Sequence, residues 1–274
     1  MTEFTPQTDL ARRLAPRPIG RVNWIGLWTL YLREVRRFLK VFVQTVASPM
    51  VTTLLFLLVF TLALGRGDMA ISGVSFPEFL APGLVMMAIA QNAFANTSSS
   101  LVVAKVQGNI VDILMPPLGP GELTIGIALG GVTRGLMVGI FALLAMWLFV
   151  PLRLPNPEYV LFHALAASLL LSLLGMIGGI WAEKFDHIAA VTNFIIMPLT
   201  FLSGTFYSTE RLPGIWYELA HINPFFFMID GFRYGFIDHA DASPLLGVAV
   251  MTGCNLVLFF ICHRMLKSGY KLKA

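Results

Sequence analysis

The stretch Tyr159–Ala182, YVLFHALAASLLLSLLGMIGGIWA, runs for 24 residues without an Asp, Glu, Lys or Arg. As a helix rising ~1.5 Å per residue it would be ~36 Å long, enough to cross the ~30 Å of hydrocarbon in a bilayer. A surface helix of a soluble domain keeps one polar face, and this stretch has none. Five further uncharged or nearly uncharged stretches of similar length surround it: Val41–Leu64, Phe79–Ala104, Leu123–Pro151, Ile188–Ser208 and Ala242–Cys262. The expected fold class is therefore an all-α integral membrane protein. It has six transmembrane helices per subunit, an N-terminal amphipathic interfacial helix, and short re-entrant outer helices before the last span.

The basic residues orient these spans. Placing the N-terminus in the cytoplasm collects fourteen of the nineteen basic residues there: Arg12, Arg13, Arg17, Arg21, Arg33, Arg36, Arg37, Lys40, Lys105, Lys184, Arg264, Lys267, Lys271 and Lys273. Only Arg66, Arg153, Arg211 and Arg233 fall outside, with Arg134 inside the third span. That asymmetry follows the positive-inside rule and predicts both termini in the cytoplasm. The organisation expected is a cytoplasmic N-terminus over 1–40, with an interfacial helix at 24–40. A transmembrane domain follows over 41–266, with spans near 41–64, 79–102, 127–150, 159–182, 188–207 and 243–265, then a tail over 267–274.

Composition narrows the function. The chain is 57% hydrophobic and 12% charged, far more apolar than a soluble domain. Its net charge of +4 sits in the termini, where anionic headgroups account for it without nucleic acid. The first twenty residues lack the apolar core of a signal sequence. Cys254 and Cys262 lie eight residues apart in one span, ~12 Å along a helix, too far for a disulfide. No phosphate-binding loop, dinucleotide fingerprint or zinc-protease motif is present, and the five histidines are scattered, so no metal site and no catalytic residue is expected. The middle of the first five spans holds no carboxylate, and the two halves show no clear inverted repeat. Both observations count against a proton-coupled secondary transporter.

Residues 24–42 carry the amphipathic pattern. On a helical wheel Trp24, Leu27, Trp28, Tyr31, Leu32, Val35, Phe38, Leu39 and Phe42 share an arc of ~140°, with Arg33, Arg36, Arg37 and Lys40 opposite. Such a helix lies in the interface, as an anchor or as a lever against a cytoplasmic partner. The second span carries a stripe of Asn92, Asn96 and Ser99, fitted either to interhelical hydrogen bonds or to a wet path. In the third span Gly126, Gly130, Gly131, Gly135 and Gly139 recur at four-residue spacing, which admits a close helix approach. Arg134 either snorkels to the headgroups or lines the path, depending on whether the span starts near Gly130 or near Leu123. These four polar residues, Asn92, Asn96, Ser99 and Arg134, are the candidate translocation path.

Between spans two and three, Gly108–Met115 reads as a short amphipathic helix closed by Pro116 and Pro117. It makes a rigid knob for a partner's cleft or a loop folded along the membrane surface. A second short turn, Glu183–His187, faces the same side. Residues 207–241 are too apolar for an aqueous loop yet are broken by Pro213, Gly214 and Asn223-Pro224. They predict two short helices dipping into the outer leaflet over a cavity. Glu218, Asp230 and Arg233 are the polar residues of this outer cap, with Asp230 and Arg233 spaced to pair on one helix face.

Taken together, Phe79-Leu80-Ala81-Pro82-Gly83-Leu84, the stretch 105–123, Phe201-Leu202-Ser203-Gly204-Thr205-Phe206-Tyr207 and the run from Asn223-Pro224 to Asp230-Gly231-Phe232-Arg233-Tyr234 resemble the ABC-2 family of ATP-binding-cassette permeases. The resemblance covers nearly the whole chain and is strongest to the bacterial branch of nodulation-factor and drug exporters. It implies that loop 105–122 is a coupling helix and that two permease copies work with two ATPase subunits. The coupling residues are then Gly108, Ile110, Asp112, Ile113, Leu114 and Pro117, with Phe185 and Asp186 on the second turn. Many members carry a glutamate where this chain has Val111, with Asp112 adjacent.

The implied protein is a non-catalytic permease subunit of an exporter in the bacterial inner membrane. ATP and Mg belong to the partner chain and no cofactor is bound directly; its other partners are a second copy of itself and lipids. Two other classes stay open: a secondary transporter or channel working without an ATPase, and a membrane scaffold.

Overall fold

The computed structural model describes residues 20–64, 70–71 and 73–272. Arg12, Arg13, Arg17, Arg66 and Lys273 of the charge count lie outside the described residues. Helix α1 (Trp24–Leu39) starts at Asn23, whose Oδ1 accepts the Gly26 N–H at 2.9 Å, the N-cap geometry that satisfies an orphan donor. Helix α2 (Phe42–Leu64) follows almost at once. The antiparallel pair β1 (Ala70–Ile71) and β2 (Val74–Ser75) then leads into α3 (Phe76–Val106). Glu78 closes that start by accepting the Ser75 N–H at 2.9 Å and the Ser75 hydroxyl at 2.7 Å.

Short α4 (Ile110–Leu114) precedes α5 (Pro120–Trp147) and α6 (Pro157–Trp181). The fifth rod is composite: α7 (Phe185–Val191), a π turn over Thr192–Ile196, and α8 (Met197–Leu202). After a 3₁₀ turn at Thr209–Arg211 come α9 (Ile215–Ile222), α10 (Pro224–Ile237) and α11 (Pro244–Ser268). Six of these rods are long and apolar enough to cross a membrane, and the fold is all-α and integral to the membrane.

The span borders shift where capping chemistry decides them. The third span begins at Pro120, because proline suits the first helical position and Glu122 Oε2 accepts the Gly119 N–H at 2.5 Å. The fifth rod ends at Leu202, short of residue 207, because Gly204 turns the chain at φ 74°.

Helix α3 is the axis of the bundle and is buried along most of its length. It packs against α5 and α6 through small residues. A methyl group at Gly131 would collide with the Ser172 hydroxyl, and one at Gly135 would sit 3.0 Å from Ala93 Cβ. On α6, Gly175 and Gly179 lie against Phe94 and Leu101 in the same way. The glycine ladder is thus used within one subunit.

Helix α10 corrects the picture of an outer lid. Its side chains from Phe225 to Arg233 are all buried, against α3, α6 and α11, so it belongs to the core. Asn223 fixes its entry, with Nδ2 donating to Ser203 Oγ at 2.8 Å and to the Leu199 carbonyl at 2.9 Å.

Candidate functional site

Several separate segments meet at one end of the bundle. Asn23 donates its N–H to Glu122 Oε1 at 2.5 Å and its Nδ2 to the Pro117 carbonyl at 3.2 Å. Those two bonds fasten the start of α1 to the first turn of α5 and to the loop before it. Lys105 Nζ donates to the Ile180 carbonyl at 2.7 Å and also to the Ala182 carbonyl, tying the α6–α7 turn to the last turn of α3. Lys271 Nζ reaches Glu183 Oε1 at 2.8 Å and brings in the end of α11. The ammonium holds the Glu183 carboxyl below the usual range, and the carboxylate holds Lys271 above the usual lysine value.

Within the loop, Gly108 takes φ 74°, the left-handed region where glycine carries no steric penalty. Helix α4 then lays Ile110 and Ile113 inward, into an apolar cluster with Leu30, Leu101 and Leu123. This corrects the docking face expected from the sequence. Ile113 is 3% exposed and Ile110 is buried, so both anchor the loop to its own subunit. Leu114 is half-buried against the same cluster. The exposed apolar side chains are Val111 at 54% and Met115 at 77%, flanked by exposed Asp112, Pro116 and Pro117. Phe185 and Asp186 are exposed on the neighbouring turn.

The candidate path residues converge deeper in the bundle. Arg134 Nη2 donates to Asn92 Oδ1 at 3.2 Å. Because α5 starts at Pro120, Arg134 lies fourteen residues in, ~21 Å along the axis, so it does not sit at the span's entrance. One turn away, Arg37 Nη2 donates to Asn96 Oδ1 at 3.0 Å and to the Asn96 carbonyl at 2.6 Å, while its Nη1 reaches Ser99 Oγ at 3.2 Å. Glu34, 0% exposed, accepts from Ser100 Oγ at 2.8 Å and from Arg37 at 3.4 Å.

Sequence reading missed Glu34 and assigned Arg37 to a basic face directed toward lipid phosphates and cytosol. The available signal was the spacing Leu30, Glu34, Phe38, all buried, which marks a second face of α1 beside the membrane-facing one. Gly126 and Gly130 of α5 receive this face, with Leu30 and Glu34 where their side chains would be.

The polar stripe of α3 divides its work. Thr97 Oγ1 bonds the Ser172 carbonyl at 2.8 Å, an interhelical bond. Asn92 and Ser99, with Gln91 and Ser98, face a groove of about 350 Å³ whose far wall includes Thr192 of the π turn. A π turn inside a helix is often found at functional sites.

At the opposite end, Asp230 and Arg233 do not form the expected ion pair. Asp230 accepts the Asp241 N–H at 2.8 Å and the Ala242 N–H at 3.1 Å. Arg233 donates Nε to the Phe79 carbonyl at 3.2 Å and Nη2 to the Gly204 carbonyl at 2.7 Å, with its guanidinium 3.9 Å from the Phe79 ring centre. Backbone groups from other segments outcompete the short side-chain reach between the two. Both are structural clasps, whereas Glu218 is exposed.

Comparison with known proteins fits this architecture. The family described as ABC-2 type transporter matches residues 26–237. The chain is 36% identical over 253 residues to the inner membrane transport permease YadH of Escherichia coli strain K12, covering 92% of this chain and 98% of that protein. It is 26% identical over 266 residues to nodulation protein J of Rhizobium meliloti, covering 93% and 96%. To nodulation protein J of Rhizobium leguminosarum bv. viciae it is 24% identical over 264 residues, covering 93% and 97%. A six-rod membrane bundle of this order, matched from α1 to the end of α10, is a transport permease, and the chain belongs to the ABC-2 type transporter family.

Proposed function

We propose that this chain is the membrane-spanning subunit of an exporter in the bacterial inner membrane, driven by ATP hydrolysed on a separate subunit. Two copies of the permease bind two ATPase subunits, and substrate moves outward along the polar side of α3. The carrying observation is the loop 106–117. Its inner face is locked to the bundle by Ile110 and Ile113, while Val111 and Met115 stand exposed. An apolar pair held out on a rigid base suits a cleft in a partner protein. Force applied there reaches α1 through Asn23 and reaches α5 through Glu122, so docking and the buried path are mechanically linked.

The test is co-purification of the ATPase with Val111→Asp and Met115→Asp permeases. Burying an apolar side chain of this size contributes ~1.5–3 kcal/mol, so each charge should lower recovery of the ATPase at least tenfold. Membrane insertion should be unchanged. Full recovery with transport intact would remove the docking assignment. Transport by the permease alone in liposomes under an ion gradient would favour a secondary transporter.

A further inference from the structure

The cluster around Arg37 and Arg134 is short of acceptors. The carboxylate of this cluster, Glu34, bonds Arg37 and Ser100, while Arg134 has only the amide oxygen of Asn92. The arginines' partners Asn92 and Asn96 are one turn apart on α3, with Cβ atoms ~5–6 Å apart, so the two cations are neighbours. Three buried donors of these residues have no acceptor among the described residues: Arg37 Nε, Arg134 Nε and Asn96 Nδ2, the last lying on the Gly130 side of α3. Asn96 is 0% exposed, and an unmade hydrogen bond at such a site is costly. One net positive charge and three free donors describe a site for a negatively charged oxygen group. Arginine forks match phosphate and carboxylate oxygens better than any other side chain.

The cluster also has an opening. Asn92 and Ser99, which hold Arg134 and Arg37, form one wall of the 350 Å³ groove, and beyond them its lining turns apolar with Phe94, Ile188, Ile196 and Met197. A charged head beside Asn92 would place an attached alkyl chain along that apolar lining.

We propose that Arg37, Arg134 and Asn96 bind the anionic headgroup, phosphate or carboxylate, of an amphipathic substrate whose tail lies in the groove between α3 and the fifth rod. This rests on the transport reading and names its substrate class. The cluster selects charge inside the bundle, and the groove selects the tail.

The experiment titrates the purified full-length permease, in neutral detergent and without ATPase, with dodecyl phosphate, followed by thermal melting and equilibrium binding. Dodecyl phosphate should bind saturably and raise the melting temperature. Inorganic phosphate should bind at least tenfold more weakly, and dodecanol should not compete. Arg134→Gln should weaken dodecyl phosphate at least tenfold. Asn92→Asp keeps the Arg37, Arg134 and Asn96 donors, gives up only the Asn92 Nδ2 bond to the Ala88 carbonyl within α3, and places a carboxylate on Arg134, so it should weaken binding equally while the protein stays folded. Unchanged affinity in Asn92→Asp overturns the site, and dodecanol competing as well as the phosphate reduces it to an apolar groove. Complete competition by phosphatidylglycerol overturns the substrate assignment in favour of a bilayer lipid. Because the ATPase is absent from this assay, failure here leaves the docking test untouched, and failure of docking leaves this one untouched.

Discussion

Gly231 shows how tightly single positions are specified. It faces the ring of His163, which is fully buried and anchored by Nδ1 to the Tyr159 carbonyl at 2.9 Å. A methyl group at Gly231 would collide with that ring, and forced overpacking costs about 1–3 kcal/mol. Gly231→Ala should therefore lower the melting temperature in detergent, and His163→Ala should lower it by opening a cavity. The double variant should lose less than the sum of the two, since one change makes room for the other. Strict additivity would show that α6 and α10 do not meet as described. The glycine spacing on α5 was legible in the sequence because close helix packing demands it at regular intervals. Its partners were not legible, because Ser172, Thr97 and Ala93 carry no mark of what faces them. Glu34 was hidden for a related reason: a lone carboxylate on a basic helix reads as solvated until Gly130 is seen to make room for it.

Among the elements, the long rods were read correctly from length and hydropathy, since few other structures bury twenty consecutive apolar residues. Short elements were harder, because their placement is decided by tertiary contact. Helix α4 was visible as amphipathic, but nothing local said that Ile113 faces inward while Val111 and Met115 face out. That orientation can be measured. Ile113→Ala should destabilise the permease by about 2–5 kcal/mol, the range for a truncated core aliphatic. Met115→Ala should change stability by less than about 0.5 kcal/mol, as exposed positions do. Denaturant unfolding of the two variants compares them directly, and a reversed order would mean the helix is turned over. The π turn in the fifth rod had a readable cause that length alone does not reveal. Pro198 has no N–H for the Phe194 carbonyl, and its ring crowds that carbonyl; the wider turn at Thr192–Ile196 lies immediately before it and relieves the crowding.

In a single copy the groove beside α3 is bounded on one side by a thinly covered rod. The groove beside α3 presents Gln91, Asn92, Ser98, Ser99 and Thr192, and its far wall is a rod with little burial of its own, Phe194 being 81% exposed. Polar side chains at membrane depth are stable where protein or water surrounds them and are unfavourable against acyl chains. A second copy placed across the fifth rod would enclose the groove from the open side. A two-fold arrangement would also present two equivalent docking loops to two ATPase subunits. In a background lacking Cys254 and Cys262, a cysteine at Phe194 should cross-link to its counterpart when membranes are oxidised. A two-fold interface brings identical surfaces together, so one substitution is sufficient. A cysteine at Val257 is also exposed, on α11, but lies on another rod and should remain monomeric. Cross-linking at Val257 and none at Phe194 would move the interface to the other side of the bundle. Mass measurement in nanodiscs that finds one permease per complex, with the ATPase bound, would dispense with the second copy altogether.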